Sequence, residues 1–142
     1  MTRMQDPRVA TLSQVEVLTG TSVREREQIC RLTTEVRLPA GRVLCKQGEI
    51  AREVFLLVEG QIAVRRSDVP LGVVGRGGII GEMALVEHQV RSATTIALTD
   101  VTLLVLSTGE FAQLLACFPV VARNVHALTA VRTEEIAGLC AA

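Results

Sequence analysis

Residues 81–94 read GEMALVEHQVRSAT, and this stretch is the most informative in the chain. Gly81 carries no Cβ, so the backbone there can approach a ligand closely. The carboxylate of Glu82 can accept hydrogen bonds from a hydroxyl group. The guanidinium of Arg91 is a planar, permanently charged fork that matches two oxygens of a phosphate. A hydroxyl acceptor followed nine residues later by a phosphate-binding cation predicts a site for a ribose phosphate.

The residues around Glu82 and Arg91 are predicted to add backbone hydrogen-bond donors. Met83, Ala84 and Leu85 look like one turn of helix, whose first amide groups lack partners and favour an anion. Gly81, Ala84 and Ser92 are therefore expected to bind through their backbone N–H groups, and the Ser92 hydroxyl is a further donor.

The same stretch resembles the phosphate-binding cassette of cyclic nucleotide-binding domains. These domains are the cAMP and cGMP receptors of bacterial transcription regulators, gated channels and the regulatory subunits of cAMP-dependent kinase. The family pattern runs F-G-E-x-A-L, a short loop, then P-R-x-A-[TS]. Here it reads IGEMAL at 80–85 and VRSAT at 90–94, so that Ile80 replaces the usual Phe and Val90 the usual Pro.

The resemblance extends across nearly the whole chain. Residues 38–44 and 47–49, LPAGRVL and QGE, are similar to the opening turn and second strand of the family. Residues 54–64, VFLLVEGQIAV, are similar to its central hairpin.

The resemblance implies a regulatory receptor without catalysis, a metal or a cofactor. Its ligand is expected to be cAMP, with cGMP as the alternative because Ser92 could donate to a guanine. Glu82 is expected to accept the ribose hydroxyl, and Arg91 to bind the phosphate. Arg132 stands where some members of the family place an arginine over the base, and guanidinium planes stack on π-systems. The alternative for Arg132 is a solvated surface arginine.

The order of predicted elements is helices, then short strands, then helices. Thr11–Leu18 is expected to form a first helix, and Ser22 with Glu25 has the spacing of a capping box for a second helix over Val23–Leu32. From Val36 to Leu106, β-branched runs broken by glycines predict a jelly-roll-like antiparallel β-roll. The fold class is therefore α+β. We expect one domain over 1–142, with N-terminal helices at about 8–33, the roll at about 35–107 and two C-terminal helices at about 108–139.

Two features predict the C-terminal helices. Ser107 or Thr108 could cap a helix through Leu115, and Pro119 could open another. The second helix has an apolar side, which consists of Val121, Val125, Leu128, Val131, Ile136 and Leu139. It could pack on the roll, close over the nucleotide as the resemblance implies, or form a homodimer, and the sequence leaves these alternatives open.

Composition excludes some classes of protein. Lys+Arg and Asp+Glu each number 15, and this balance argues against direct contact with nucleic acid. No apolar run reaches the roughly 20 residues of a membrane span, and the polar start does not resemble a signal peptide, so we expect a cytoplasmic protein. Its expected partners are the cyclic nucleotide and an attached or associated effector: a channel, an enzyme or a transcription regulator.

Scattered residues carry weaker expectations. The cysteines are predicted to be buried reduced thiols, and they are Cys30, Cys45, Cys117 and Cys140. The two histidines, His88 and His126, have no ligand-like partners. Core or pocket-wall positions are expected at Val43, Val73, Val74 and Leu85.

Two other classes of function remain open. A degenerate cyclic nucleotide-binding fold would serve as an interaction or dimerisation module and bind no nucleotide. A cupin-type barrel enzyme would need metal ligands, and clustered histidines are missing from the sequence.

Overall fold

The computed structural model describes the backbone of residues 7–82 and 90–141 and the side chains of residues 8–82 and 90–132. Short helices come first: α1 (Pro7–Leu12), a 3-10 turn (Glu16–Leu18) and α2 (Val23–Leu32). Two helices follow the strands, α3 (Thr108–Cys117) and α4 (Pro119–Ala141).

The strands of the described residues form two four-stranded antiparallel sheets. The first has the order β1-β8-β3-β6 and the second the order β2-β7-β4-β5. Their bounds are β1 Thr34–Leu38, β2 Val43–Cys45, β3 Glu53–Glu59, β4 Ile62–Arg66, β5 Val69–Val74, β6 Ile79–Ile80, β7 Thr94–Ala97 and β8 Val101–Ser107. This is the predicted α+β architecture, a β-roll with helices on both sides of it in the chain.

The central strands of the first sheet, β3 and β8, are buried on both faces, which explains their nearly continuous apolar runs. Successive side chains of a strand point to opposite faces. In β3, Val54 and Leu56 pack in a cluster with the helices, whereas Phe55 and Leu57 pack against the second sheet. The two cores therefore share one sheet, and the layers are helices, first sheet and second sheet.

One face of the second sheet is uncovered by any part of the chain that the structure describes, and two residues predicted to be core or pocket wall lie on it. Val43 pairs with Ile96, Ile96 with Ala63, and Ala63 with Val73, so these residues form one row across the four strands. The row lies on the face turned away from the core between the two sheets, which we call the inner core. Val43 and Val73 are 46% and 58% exposed. Neither is a core residue, whereas Val74 does pack against the inner core.

The helix starts agree with the capping signals, except for the first helix. Ser22 and Glu25 form the predicted capping box of α2, and Ser107 and Glu110 form a second one at the start of α3. The predicted helix over Thr11–Leu18 is wrong: α1 ends at Leu12, and the chain turns before the 3-10 turn begins.

Helix α4 begins at Pro119 as predicted, and its apolar side is only partly buried. Val121 and Val125 are fully buried, and Leu128 packs against the same core, but Val131 is 51% exposed and does not belong to that side. Ile136 and Leu139 lie outside the described side chains. Among the described helices none is by itself long and apolar enough to cross a membrane, although α3 and the first part of α4, which meet at a bend of 115°, pass this test as a pair.

The cysteine prediction is confirmed at two positions and wrong at one. Cys30 and Cys45 are buried, while Cys117, at the end of α3, is exposed. Cys140 falls outside the described side chains, as do Leu85 and His88.

Candidate functional site

The site lies where the short edge strand β6 ends. Ile80, the last residue of β6, pairs with Phe55 of β3, and Gly81 and Glu82 follow it directly in the chain. Ile80 is buried in the inner core and Ile79 in the helix-facing core. Packing on both faces thus fixes the position of β6, and β6 in turn positions Gly81 and Glu82, which follow it.

Arg91 is buried against this strand end, and its guanidinium is oriented by backbone carbonyls. Its Nη1 donates to the Gly81 carbonyl oxygen at 3.1 Å, and its Nη2 donates to the Glu53 carbonyl oxygen at 2.7 Å. The residue is 7% exposed. These two bonds fix the plane of the guanidinium and leave it with further N–H donors for an anion.

Gly81 is required by the way Arg91 packs. Its φ of +91° lies in the left-handed region that glycine favours. A Cβ at this position would collide with the Arg91 guanidinium and would lie 3.1 Å from the Glu53 carbonyl oxygen. Glycine therefore permits both the turn after β6 and the close approach of the cation to the backbone.

The backbone around Arg91 is anchored by the loop before β3. The Arg91 N–H donates to the Glu49 carbonyl oxygen at 2.8 Å, and the Arg91 carbonyl accepts from the Gly48 N–H at 2.9 Å. Next to this pair, Ile50 and Val90 form an isolated antiparallel bridge. The segment 48–50 thus holds the cassette arginine as a neighbouring strand would.

Arg132 reaches the same site from helix α4. Val121, Val125, Leu128 and Arg132 follow one another by three or four residues, so Arg132 continues the side of the helix that packs on the roll. Its Nη1 donates to the Ile79 carbonyl oxygen at 3.0 Å and forms an ion pair with Oε1 of Glu82. The Arg132 side chain is 25% exposed. The alternative of a solvated surface arginine is therefore wrong.

The carboxylate of Glu82 is enclosed and only half paired. Glu82 has no exposed surface, and Oε2 has no hydrogen-bond partner among the described residues. Burial raises the pKa of this carboxyl above its ordinary value, while the Arg132 charge and hydrogen bond, a hydrogen bond from the Glu82 backbone and the Arg91 charge oppose the rise. A buried acceptor without a donor costs free energy, so the site favours a ligand that brings a hydrogen-bond donor.

The thiol of Cys45 is the other titratable group with a shifted pKa near Arg91. Burial raises the pKa of Cys45, and the positive charge of Arg91 opposes this effect. The Cys45 N–H donates to Oγ1 of Thr95 at 3.1 Å. Cys45 is a neutral thiol buried in the inner core, which agrees with the prediction of a reduced thiol.

The structure brings together Gly81, Glu82, Arg91 and Arg132 from the end of β6, the segment before β7 and helix α4. Ser92 follows Arg91 and is exposed. Met83 and Ala84, both predicted to contribute to the site, lie outside the described residues.

Sequence reasoning missed the groups that orient the two arginines. Glu53 and Ile79 act through their carbonyl oxygens, which every residue possesses, so no sequence signal could have found them. Asn124 was also missed. It lies on α4 and bonds the 3-10 turn, and an isolated asparagine in a helix carries no motif.

A sequence model of the family described as "Cyclic nucleotide-binding domain" matches residues 35–117. The matched part covers β1 through α3, including the end of β6 and Arg91.

Two curated relatives show what kinds of protein carry similar sequences. A cyclic nucleotide-gated potassium channel of Rhizobium etli is 40% identical over 89 residues, which are 63% of this chain and 25% of the channel. A cyclic AMP receptor protein of Thermus thermophilus is 31% identical over 102 residues, which are 68% of this chain and 47% of that protein. The chain spans less than half the length of each.

A solved structure shows the same arrangement of sheets and helices. The catabolite activator protein of Thermus thermophilus superposes with a TM-score of 0.78 at 27% identity, over 85% of this chain and 59% of that one.

Proposed function

The chain belongs to the cyclic nucleotide-binding domain family, and from this premise we propose that it is a cAMP receptor whose last helix transmits binding. In this proposal residues 1–142 act as one sensor domain. Gly81, Glu82 and Arg91 bind the ribose phosphate, Arg132 links the ligand to α4, and Met83, Ala84 and Ser92 add donors.

The single observation that carries the proposal is the orphaned Oε2 of Glu82. This oxygen is buried and has no hydrogen-bond partner in the part of the chain that the structure describes. The ribose of a 3′,5′-cyclic nucleotide has one free hydroxyl, on the 2′ carbon, and a hydroxyl can donate to this oxygen. A hydrogen bond to a charged acceptor contributes about 1.5–3 kcal/mol, so the ribose would supply an appreciable part of the affinity.

Arg91 supplies the charge for the cyclic phosphate. Its guanidinium is already oriented by the carbonyl oxygens of Gly81 and Glu53, so little side-chain freedom is lost on binding. Because Arg91 is buried, its attraction for an anion is screened less than that of an exposed arginine. The diester of a cyclic nucleotide carries one negative charge, and one guanidinium suffices to balance it.

Transmission to α4 follows from the sharing of one carboxylate. Arg132 bonds Oε1 of Glu82, and in the proposal the ribose hydroxyl bonds Oε2. Both contacts favour the ionised carboxylate over the neutral one. Ligand binding and the contact of α4 with Glu82 therefore stabilise each other, and coupling of this kind typically contributes about 1–3 kcal/mol.

We favour cAMP over cGMP as the ligand. The Thermus thermophilus relative is a cyclic AMP receptor protein, and the Ser92 side chain, the candidate donor to a guanine, is exposed. Arg132 is bonded to Glu82 and Ile79 in this structure. It serves in the proposal as the link to the helix and as one edge of the base pocket.

The effector is a matter of proposal as well, since the chain covers only 25% of the channel and 47% of the receptor protein. We propose that the chain regulates a channel, an enzyme or a transcription regulator and has no catalysis of its own. The homodimer predicted through the last helix stays a prediction.

The test compares cAMP with 2′-deoxy-cAMP, which lacks only the hydroxyl in question. The wild-type protein is expected to bind cAMP about 10- to 100-fold more tightly, the equivalent of one hydrogen bond to a charged group. In Glu82→Gln this preference should shrink to a few-fold. Equal binding of both nucleotides to the wild type would contradict the role of Glu82. Binding of neither would favour the interaction module.

A further inference from the structure

Among the described side chains of helix α4, Asn124 and Arg132 form polar bonds to the rest of the protein at two different levels along the helix axis. At the first level, Nδ2 of Asn124 donates to the carbonyl oxygens of Val17 at 3.0 Å and Thr19 at 2.9 Å. At the second, Arg132 bonds the end of β6. The two side chains are eight residues apart in the sequence, about 12 Å along a helix and about 80° apart around its axis.

The 3-10 turn that Asn124 contacts is itself bonded to the segment that leads into β6. The Glu16 N–H donates to the Gly77 carbonyl oxygen at 2.9 Å. Gly77 packs so closely on this part of the chain that a Cβ there would collide with the Gln14 carbonyl oxygen. Ile79, whose carbonyl accepts from Arg132, follows two residues after Gly77. Both levels of attachment therefore lead to one short stretch of backbone.

The amide of Asn124 is the group suited to this position. A primary amide has two N–H donors on one nitrogen, and both are used here, one on each carbonyl oxygen. A serine hydroxyl has a single hydrogen, an ionised aspartate has none, and leucine matches the branched shape without any donor. The carbonyls belong to Val17, the middle residue of the 3-10 turn, and to Thr19, which follows its last residue, so the amide bonds both the turn and its exit.

We propose that Asn124 is a positioning residue of the nucleotide site. Its bonds to the 3-10 turn set the position of α4 along its own axis, and this position allows Arg132 to contact Glu82. The inference rests on the proposed function for the identity of the ligand. The attachment itself belongs to the ligand-free protein. Without the amide, α4 keeps its apolar contacts through Val121 and Val125 but loses the polar contact that fixes its position along its own axis.

The test detects the Arg132–Glu82 contact through the pKa of Glu82, measured in protein without nucleotide. Arg132 and Arg91 are the charged groups that lower the pKa of Glu82 against the effect of burial. The pKa of Glu82, followed by NMR of its side-chain carboxyl, should rise in Arg132→Ala because one cation is lost. It should rise in the same direction in Asn124→Leu, which leaves Arg132 in the chain but removes the amide. In the same variant, cAMP affinity should fall about as far as it falls in Arg132→Ala.

The matched control is Ala127→Leu, which places the same side chain at an exposed position of α4. It should leave the titration of Glu82 unchanged. If Asn124→Leu does not fold, Asn124→Ser removes the two-donor amide with a smaller change in polarity and is read in the same way.

A Glu82 titration that is the same in Asn124→Leu as in the wild type, but shifted in Arg132→Ala, would overturn the positioning role. So would an unshifted titration in Arg132→Ala. Because these titrations contain no nucleotide, their outcome does not depend on the proposed function, which is tested separately by nucleotide binding.

Discussion

Arg132 and Glu82, fifty positions apart in the sequence, form an ion pair that joins the last helix to the end of the edge strand β6. The pair uses one carboxylate oxygen and leaves the other buried without a partner in the described structure. One side chain thus serves as the attachment point of a helix and as an acceptor for a ligand hydroxyl. This shared use is the physical basis for coupling between ligand and helix.

The first prediction concerns stability and pH. Because the pKa of Glu82 in the folded protein is raised above its ordinary value of 4.5, the folded state holds this proton more tightly than the unfolded state. The free energy of unfolding of the ligand-free protein should therefore decrease as the pH rises from about 4.5 to the pKa of the folded state, and Glu82 should add no further change above it. Urea unfolding in a series of buffers measures this.

In Glu82→Gln that part of the decrease should be absent. Glu35→Gln, at an exposed position of β1, is the control and should retain it. The same pH dependence in Glu82→Gln and the wild type would show that Glu82 is not responsible.

The second prediction separates backbone strain from packing at Gly81. Gly81 and Gly41 have the same φ of +91°, so alanine at either position should lose about 1–2 kcal/mol of stability from the left-handed conformation. A Cβ at Gly41 meets nothing within 4 Å, whereas a Cβ at Gly81 meets the Arg91 guanidinium. Gly81→Ala should therefore lose more stability than Gly41→Ala and also weaken nucleotide binding. Equal losses in the two variants, with unchanged affinity, would refute the contact with Arg91.

The third prediction concerns the link through Arg132. Arg132→Ala should weaken cAMP binding by about 5- to 150-fold, the usual range of coupling between two sites. Amide hydrogen exchange in α4 should slow on addition of cAMP in the wild type and respond less in the variant. Arg123→Ala, an exposed neighbour on the same helix, is the control. If Arg132→Ala bound cAMP as the wild type does and its helix responded equally, Arg132 would have no part in transmission.

The fourth prediction tests the shape of the Arg91 guanidinium rather than its charge. Arg91→Lys keeps the positive charge, but one ammonium group cannot bond the carbonyl oxygens of Gly81 and Glu53 and a phosphate in the same fork geometry. We expect affinity for cAMP to fall on the order of 100-fold, within the 2–5 kcal/mol typical of a disrupted buried charge contact. Arg42→Lys, on an exposed residue, should leave affinity unchanged. Titration calorimetry of both variants decides whether the fork is needed.

The parts of the fold that depend on neighbouring residues could be predicted from the sequence. The capping box of Ser22 and Glu25 involves residues three apart, and Pro119 opens a helix because its ring fixes φ. The cassette pattern likewise put Glu82 and Arg91 in one short segment.

Features set by tertiary packing could not be predicted. Val43 and Val73 have the composition of core strand residues, but the second sheet turns them to a face that no described layer covers. The pairing of Arg132 with Glu82 depends on how α4 packs on the roll. Hydrophobic periodicity predicts which side of the helix is buried but not its orientation on the roll. The carbonyl oxygens of Glu53 and Ile79 are properties of the backbone and leave no trace in the residue types.

The most direct test of the account is calorimetric titration of cAMP into the wild-type protein after unfolding, removal of carried-over nucleotide and refolding. We predict saturable binding with a dissociation constant in the micromolar range or tighter, about −8 kcal/mol or more favourable. Competition with cGMP in the same cell then orders the two ligands. A flat titration of well-folded, nucleotide-free protein would contradict the central claim that Glu82 and Arg91 form a cAMP site.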